Sequence, residues 1–270
     1  MKKVVLITGA SSGIGKETAR QLVREGHTVY GAARRLEKME DLKADGIIPL
    51  AMDITQPEQI ESVVKEILDR EGRIDVLVNN AGYGLYGAVE DIPIEDARYQ
   101  FEVNLFGLAR LTQLVLPSMR EAKSGTIFNV SSVGGKIYTP MGAWYHATKH
   151  ALEGWSDSLR MELEPHGIDV VIIEPGAIET EFGNVMSAPM LERSGSGPYA
   201  DIAKAMAKSV DEFYTPGNSS PPSVVSNAIS KAVKAKRPRT RYMMGKFAKP
   251  LFFLRRLLSD RLFDRVLRSF

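Results

Sequence analysis

Ser132, Tyr145 and Lys149 are the residues of this 270-residue chain whose types and spacing could do acid–base chemistry together. Tyr145 and Lys149 stand four positions apart, which puts them on one face of a helix and within mutual reach. An unperturbed phenol, with a pKa of about 10, is a poor acid–base catalyst at neutral pH. An adjacent ammonium favours the phenolate and draws that value towards the working range. Ser132 comes thirteen residues before Tyr145, at the carboxyl end of an apolar run at 126–130. Open α/β sheets present their ligands at such strand ends. Its hydroxyl would bond a substrate oxygen where negative charge develops. Tyr-x-x-x-Lys alone is common on helices, and the serine and a glycine-rich turn near the N-terminus give this one its weight.

The elements needed to hold such a set are visible in the hydropathy pattern. Val4–Thr8, 28–32, 76–78, 126–130 and 170–173 are apolar, β-branched runs without in/out alternation. Parallel strands buried on both faces read this way. Amphipathic stretches at 16–25, 59–71, 94–118 and 145–164 lie between them. The alternation predicts right-handed βαβ units and an α/β fold with a doubly wound parallel sheet. A helix at about 223–236 and a last strand at Arg241–Met244 are expected to close it.

Between the first strand and the first helix runs Thr8-Gly9-Ala10-Ser11-Ser12-Gly13-Ile14-Gly15. Glycines there permit a tight turn and bring backbone N–H groups against a pyrophosphate at the helix N-terminus. A turn that needs positive φ for its own sake would look the same. The second strand ends in Gly31-Ala32-Ala33-Arg34-Arg35, two guanidinium groups and no carboxylate. A carboxylate at this place bonds the 2′-hydroxyl of NAD, whereas arginine grips a 2′-phosphate with two hydrogen bonds. NADP(H) is therefore the expected cofactor, the opposing reading being two solvated arginines that open a helix. Asp53, with Ile54 beside it, is placed to meet the adenine edge. Asn79-Asn80-Ala81-Gly82 would close the crevice from the other side. Both segments could equally be ordinary turn chemistry.

With these motifs in this order, the sequence resembles the short-chain dehydrogenase/reductase family over roughly residues 3–180. The resemblance rests on the turn at residues 8–15, Asn79–Gly82, Asn104, Ser132, Tyr145 with Lys149, and Pro175-Gly176. It implies a Rossmann-type sheet of about seven strands in a single domain and NAD(P)-dependent interconversion of carbonyl and alcohol. It assigns Tyr145 as proton donor or acceptor and Lys149 as tuner of its pKa and ligand of the nicotinamide ribose. Ser132 would stabilise the substrate oxygen, and Asn104 would hold a water that relays protons to Lys149. Pro175, Gly176, Ile178 and Thr180 would line the nicotinamide end. Relatives that prefer NADPH can carry a basic residue just before Gly13. Here that residue is Ser12, so the coenzyme expectation rests on Arg34 and Arg35. A homodimer or homotetramer is the family expectation.

Composition bounds the rest. With no cysteine there is no disulfide, thiolate nucleophile or Cys-ligated metal, and a reducing, cytoplasmic setting fits. No run of apolar residues is long enough to span a bilayer, and no nucleic-acid recognition motif accompanies the basic residues. His146 and His150 have a spacing that can bind metal, but no third ligand is evident, and none is expected. Residues 181–222, rich in Gly, Pro and Ser around a helix expected near Ala200–Phe213, read as a lid. Tyr83, Tyr138, Met141, Trp144, Phe182 and Met186 could build an apolar pocket at the mouth or simply pack.

Charge is split. From Lys231 to the end, thirteen Lys/Arg face two Asp, while the preceding residues hold twenty-two basic and thirty-one acidic side chains. The tail at 246–270 is expected as a basic amphipathic helix starting near Pro250. It could pack on the body or lie on a membrane. An arginine-rich tail after an Arg-Tyr-x-x-Gly strand resembles relatives acting on steroids, retinoids or other lipids. An NADP(H)-dependent oxidoreductase acting on an apolar small molecule is the leading expectation. Alternatives are a 3-oxoacyl-carrier-protein reductase and a non-catalytic dinucleotide sensor.

Overall fold

The computed structural model describes residues 1–215 and 217–268, the side chains of Asn184 and Val185 excepted. Its strands are β1 (Val4–Thr8), β2 (Thr28–Ala33), β3 (Ile48–Ala51), β4 (Val76–Asn79), β5 (Gly125–Val130), β6 (Ile168–Pro175) and β7 (Arg241–Met244). All neighbours pair in parallel, in the order β3-β2-β1-β4-β5-β6-β7. β1 shows why alternation was missing: Val5 and Ile7 join one apolar layer, Val4 and Leu6 the other. Both layers are apolar, so Val4 to Ile7 are all apolar.

The helices supply those layers. α1 (Gly13–Arg24) and α2 (Glu40–Ala44) cover one face. α3 (Pro57–Glu71) lies on the opposite face. α4 (Ile94–Phe101) runs through a π turn at Glu102–Phe106 into α5 (Gly107–Glu121). The expected single helix at 94–118 is therefore one helical run with a widened turn in it, a device that recurs at functional sites. α5 and α6 (Ala143–Leu163) pack beside α3, and α9 (Ser223–Lys234) packs beside α1. Strand order reverses between β1 and β4, so a crevice opens where their carboxyl ends diverge.

Two segments differ from the hydropathy reading. The lid holds α8 (Ala200–Phe213), as expected, and also α7 (Phe182–Ser194), which packs against it. α7 contains Pro189 and lacks an apolar stripe, so its sequence does not announce a helix. The tail forms two helices instead of one, α10 (Ala248–Leu257) and α11 (Asp260–Arg268), because Leu258 turns extended (ψ 145°) and ends the first. On α11, Phe263 is fully buried, with its ring 5.5 Å from that of Tyr138. The Tyr138 hydroxyl donates to Asp264 at 3.0 Å. One side of the tail is thus packed on the body. Among the described residues no helix is long and apolar enough to cross a membrane.

Candidate active site

β5 delivers Ser132 two residues beyond its last paired position, and α6 delivers Tyr145 in its first turn and Lys149 one turn later. Ser132 Oγ accepts the Gly134 N–H at 3.0 Å. That contact occupies a lone pair and leaves the hydroxyl proton free to donate outward. The same hydroxyl acts on the Tyr145 phenol in the direction that favours its ionised form. Lys149 Nζ donates to the Val130 carbonyl at 2.9 Å and lies 6.0 Å from the centre of the Tyr145 ring. Tyr145 and Lys149 are both buried.

Burial sets the protonation behaviour of this pair. The Tyr145 phenol is pushed up to about 12 by desolvation, with the Ser132 hydroxyl acting weakly in the other direction. Its ring is hemmed by Tyr86 at 5.6 Å and Phe182 at 5.7 Å. Lys149 is drawn down to about 8, again by desolvation, partly offset by Glu153. The sequence led us to expect a phenol lowered by its lysine. The structure shows the opposite direction, because two apolar rings remove water from the hydroxyl and the ammonium is turned towards a carbonyl.

His146 fixes the loop that carries Ser132, a role its sequence position does not announce. Its Nε2 accepts from the Thr139 N–H at 3.0 Å, so Nδ1 carries the proton and donates to the Gly134 carbonyl at 2.8 Å. Burial lowers its pKa to about 4 and keeps the ring neutral. Both nitrogens of His146 are committed to the loop, whereas His150 Nδ1 lies on the His146 carbonyl of its own helix.

Asn104 sits in the π turn, fully buried, with both ends of its amide engaged. Oδ1 accepts from the Tyr83 N–H at 3.1 Å, and Nδ2 donates to the Tyr83 carbonyl at 3.0 Å and to Thr148 Oγ1 at 3.2 Å. The side chain thereby ties the segment after β4 to α6.

One cleft of about 350 Å³, within the usual range for small-molecule sites, joins these groups to the crevice over β1. Gly9, Ser11, Ser12, Gly13 and Ile14 form its floor at one end, with Arg34, Arg35, Asp53 and Ile54 beside them. Asn80, Ala81, Gly82, Ser132, Tyr145, Lys149, Pro175, Gly176, Ile178 and Thr180 line the remainder. Gly15 and Asn104 stand behind the lining. Gly15 lets α1 start close to the turn: a Cβ there would meet the Gly9 carbonyl at 2.4 Å and Asn80 Nδ2 at 2.5 Å. Asn80 Nδ2 donates to the Thr8 carbonyl at 2.9 Å, and Thr8 Oγ1 accepts the N–H groups of Asn80 and Ala81 at 3.0 Å each.

This end fits a dinucleotide. Ser12 caps α1 without a side-chain bond to its N–H groups, and the first turn holds no acidic residue. Free N–H donors and the helix dipole then favour a pyrophosphate. Arg34 Nη1 donates to the Tyr99 hydroxyl at 3.3 Å, which holds the guanidinium at the rim. Tyr99, Glu181 and Tyr214 also line the cleft, and the sequence reading missed all three. No local motif marks them. The Asp53 carboxylate accepts the Thr55 N–H at 3.0 Å, so it shapes the turn after β3 as well as facing the cleft.

A buried ionic cluster lies on the far side of Lys149. Lys136 pairs with Glu153 at 2.7 Å and Glu174 at 3.5 Å, and Arg241 reaches Glu174 at 3.1 Å and Glu153 at 3.4 Å. Glu174 is raised to about 7, by burial first and then by the facing Glu153. The cluster joins the Ser132 loop, α6, β6 and β7 in one place.

Fold and site together define a nicotinamide-dinucleotide oxidoreductase. Residues 3–190 match the short chain dehydrogenase family, and the chain belongs to it. A 3-ketodihydrosphingosine reductase of Bacteroides thetaiotaomicron is 35% identical over 99% of this chain and 97% of its own length. An NADPH-dependent 3-dehydrocapnine reductase of Ornithobacterium rhinotracheale is 35% identical over 98% and 95% respectively. Among solved structures, a serine dehydrogenase complexed with NADP+ superposes with a TM-score of 0.77 and 28% identity, covering 90% of this chain and 94% of that one.

Proposed function

We propose that this protein uses NADP(H) to interconvert a ketone and a secondary alcohol on a lipid-like molecule. The observation that carries the reading is the continuity of the cleft. One end presents Arg34 and Arg35, and the other presents Tyr145 among Tyr86, Phe182 and Tyr214. The dinucleotide supplies or accepts the hydride when bound. Gly9 to Gly15 and the start of α1 would hold its pyrophosphate, and Arg34 with Arg35 would hold the 2′-phosphate. Gly176, Ile178 and Thr180 would line its nicotinamide end. Ser132 would donate to the substrate oxygen, Tyr145 would pass it a proton, and Lys149 would hold the ribose side of the dinucleotide.

Phe182 and Tyr214 line the cleft next to Tyr145 and favour an apolar substrate; Met141, Met186 and Met190, which the sequence offered in part as pocket residues, pack behind them in a buried cluster. Both relatives are named as reductases of a 3-keto or 3-dehydro compound, which supports the reductive direction. So does the phenol itself, which is fully protonated at neutral pH. The test is NADPH oxidation with a panel of long-chain 3-ketones, steroids, retinal and sugars. Turnover is expected on the long-chain ketones, and Tyr145→Phe should lower it by about 10²–10⁴-fold with NADPH affinity kept. A variant as active as the parent removes the proposal.

A further inference from the structure

α10 and α11 carry a surface that the reaction does not use. Lys249, Phe253, Arg256 and Leu257 occupy positions i, i+4, i+7 and i+8, so they share one stripe of α10. All four are exposed, Phe253 at 56% and Leu257 at 80%. α11 adds exposed Arg261, Leu262 and Arg265. The inner side of the pair is already taken: Phe263 is buried, and Arg255 stacks on Tyr138 at 5.2 Å and pairs with Asp260 at 2.9 Å. The helices are thus fastened by one side, with large apolar groups and cations turned outward together.

We propose that this outer face docks on an anionic membrane surface. Phe253, Leu257 and Leu262 would enter the boundary between headgroups and acyl chains, with the flanking lysine and arginines on anionic headgroups. Charge decides between occupants. The tail from Lys231 is strongly basic and the preceding residues are net acidic, so an anionic bilayer attracts the tail more than the rest of the chain. A second copy using the same stripe in a two-fold contact would set cation against cation. The position also suits a route to the cleft. At the foot of α10, Phe247 meets Phe213 edge-on at 4.8 Å, and the next residue, Tyr214, lines the cleft.

The test needs no turnover, so it stands apart from the proposed reaction. Full-length protein is sedimented with vesicles of phosphatidylcholine alone or with about one-third phosphatidylglycerol. Binding to the anionic vesicles only is expected. Phe253→Ser with Leu257→Ser, and separately Lys249→Glu with Arg256→Glu, should each lower partitioning at least about ten-fold. Circular dichroism should match the parent. Absence of anionic binding, equal binding to both vesicles, or variants that bind like the parent overturn the proposal. So does light scattering in which the serine pair splits an oligomer while vesicle binding is unchanged.

Discussion

In the proposed reaction Tyr145 starts as the acid, because burial pushes its phenol up to about 12. Its phenol stays protonated until about pH 12, so reduction, which consumes that proton, should be level in this group between about pH 6 and 8. Oxidation needs the phenolate, and kcat/KM in that direction should rise by up to about ten-fold per pH unit over the same range. Steady-state profiles in both directions check the sign; a reduction rate that climbs with pH would refute it. At the opposite end, on the proposed coenzyme reading, Arg34→Asp replaces a cation at the rim of the cleft with a group that repels phosphate and accepts from a ribose hydroxyl. NADP+ affinity should fall at least ten-fold, by roughly 1.4 kcal/mol or more, while NAD+ affinity rises. Fluorescence titration with both dinucleotides measures it. The place of Arg34 on the cleft was legible in the sequence because the end of the second strand is a fixed address. The direction of the Tyr145 shift was not, because desolvation sums over Tyr86 and Phe182, which the chain brings in from elsewhere.

The loop between β5 and α6 owes its shape to His146. The ring is neutral in the folded protein down to about pH 4, against 6.5 for the free side chain. A base whose pKa is lowered by folding stabilises the fold above the unfolded value and loses that contribution as pH falls through the window, here from 6.5 towards 4. His146→Gln removes the titration. Across that window the parent should lose about 2–3 kcal/mol more unfolding free energy than the variant. Denaturant unfolding at each pH reads the difference, and parallel curves would show that the histidine is solvated. Elements with a strong period were readable in this way: β1, β5, α6 and α8 fall where apolar runs and stripes predict them. The π turn, α7 and the break at Leu258 were not, because each depends on what the helix packs against.

At the scale of the molecule, Arg241 binds the edge of the sheet to its catalytic side. It joins β7 to Glu174 on β6 and Glu153 on α6, four residues from Lys149. Arg241→Met leaves two buried carboxylates with Lys136 alone. We expect a loss of about 3 kcal/mol in unfolding free energy, measured by urea titration, and a lower kcat from slack in α6. Unchanged stability would mean that the cluster is hydrated. The doubly wound sheet itself was legible, since buried parallel strands leave an unbroken apolar signature. The ionic cluster was not, since its members are scattered from Lys136 to Arg241.

Gly176 shows how tightly the tail and the cofactor end are joined. A Cβ at this position would fall 2.0 Å from the Lys246 carbonyl, and the Ala177 N–H donates to that same oxygen at 3.0 Å. The seam leaves no slack for even a methyl group. A proteolytic nick between Met244 and Ala248 would therefore unfasten the cleft wall at Gly176 and Ile178 along with the arm beyond it, and on the proposed reading coenzyme retention would report the cut before any change in substrate choice did.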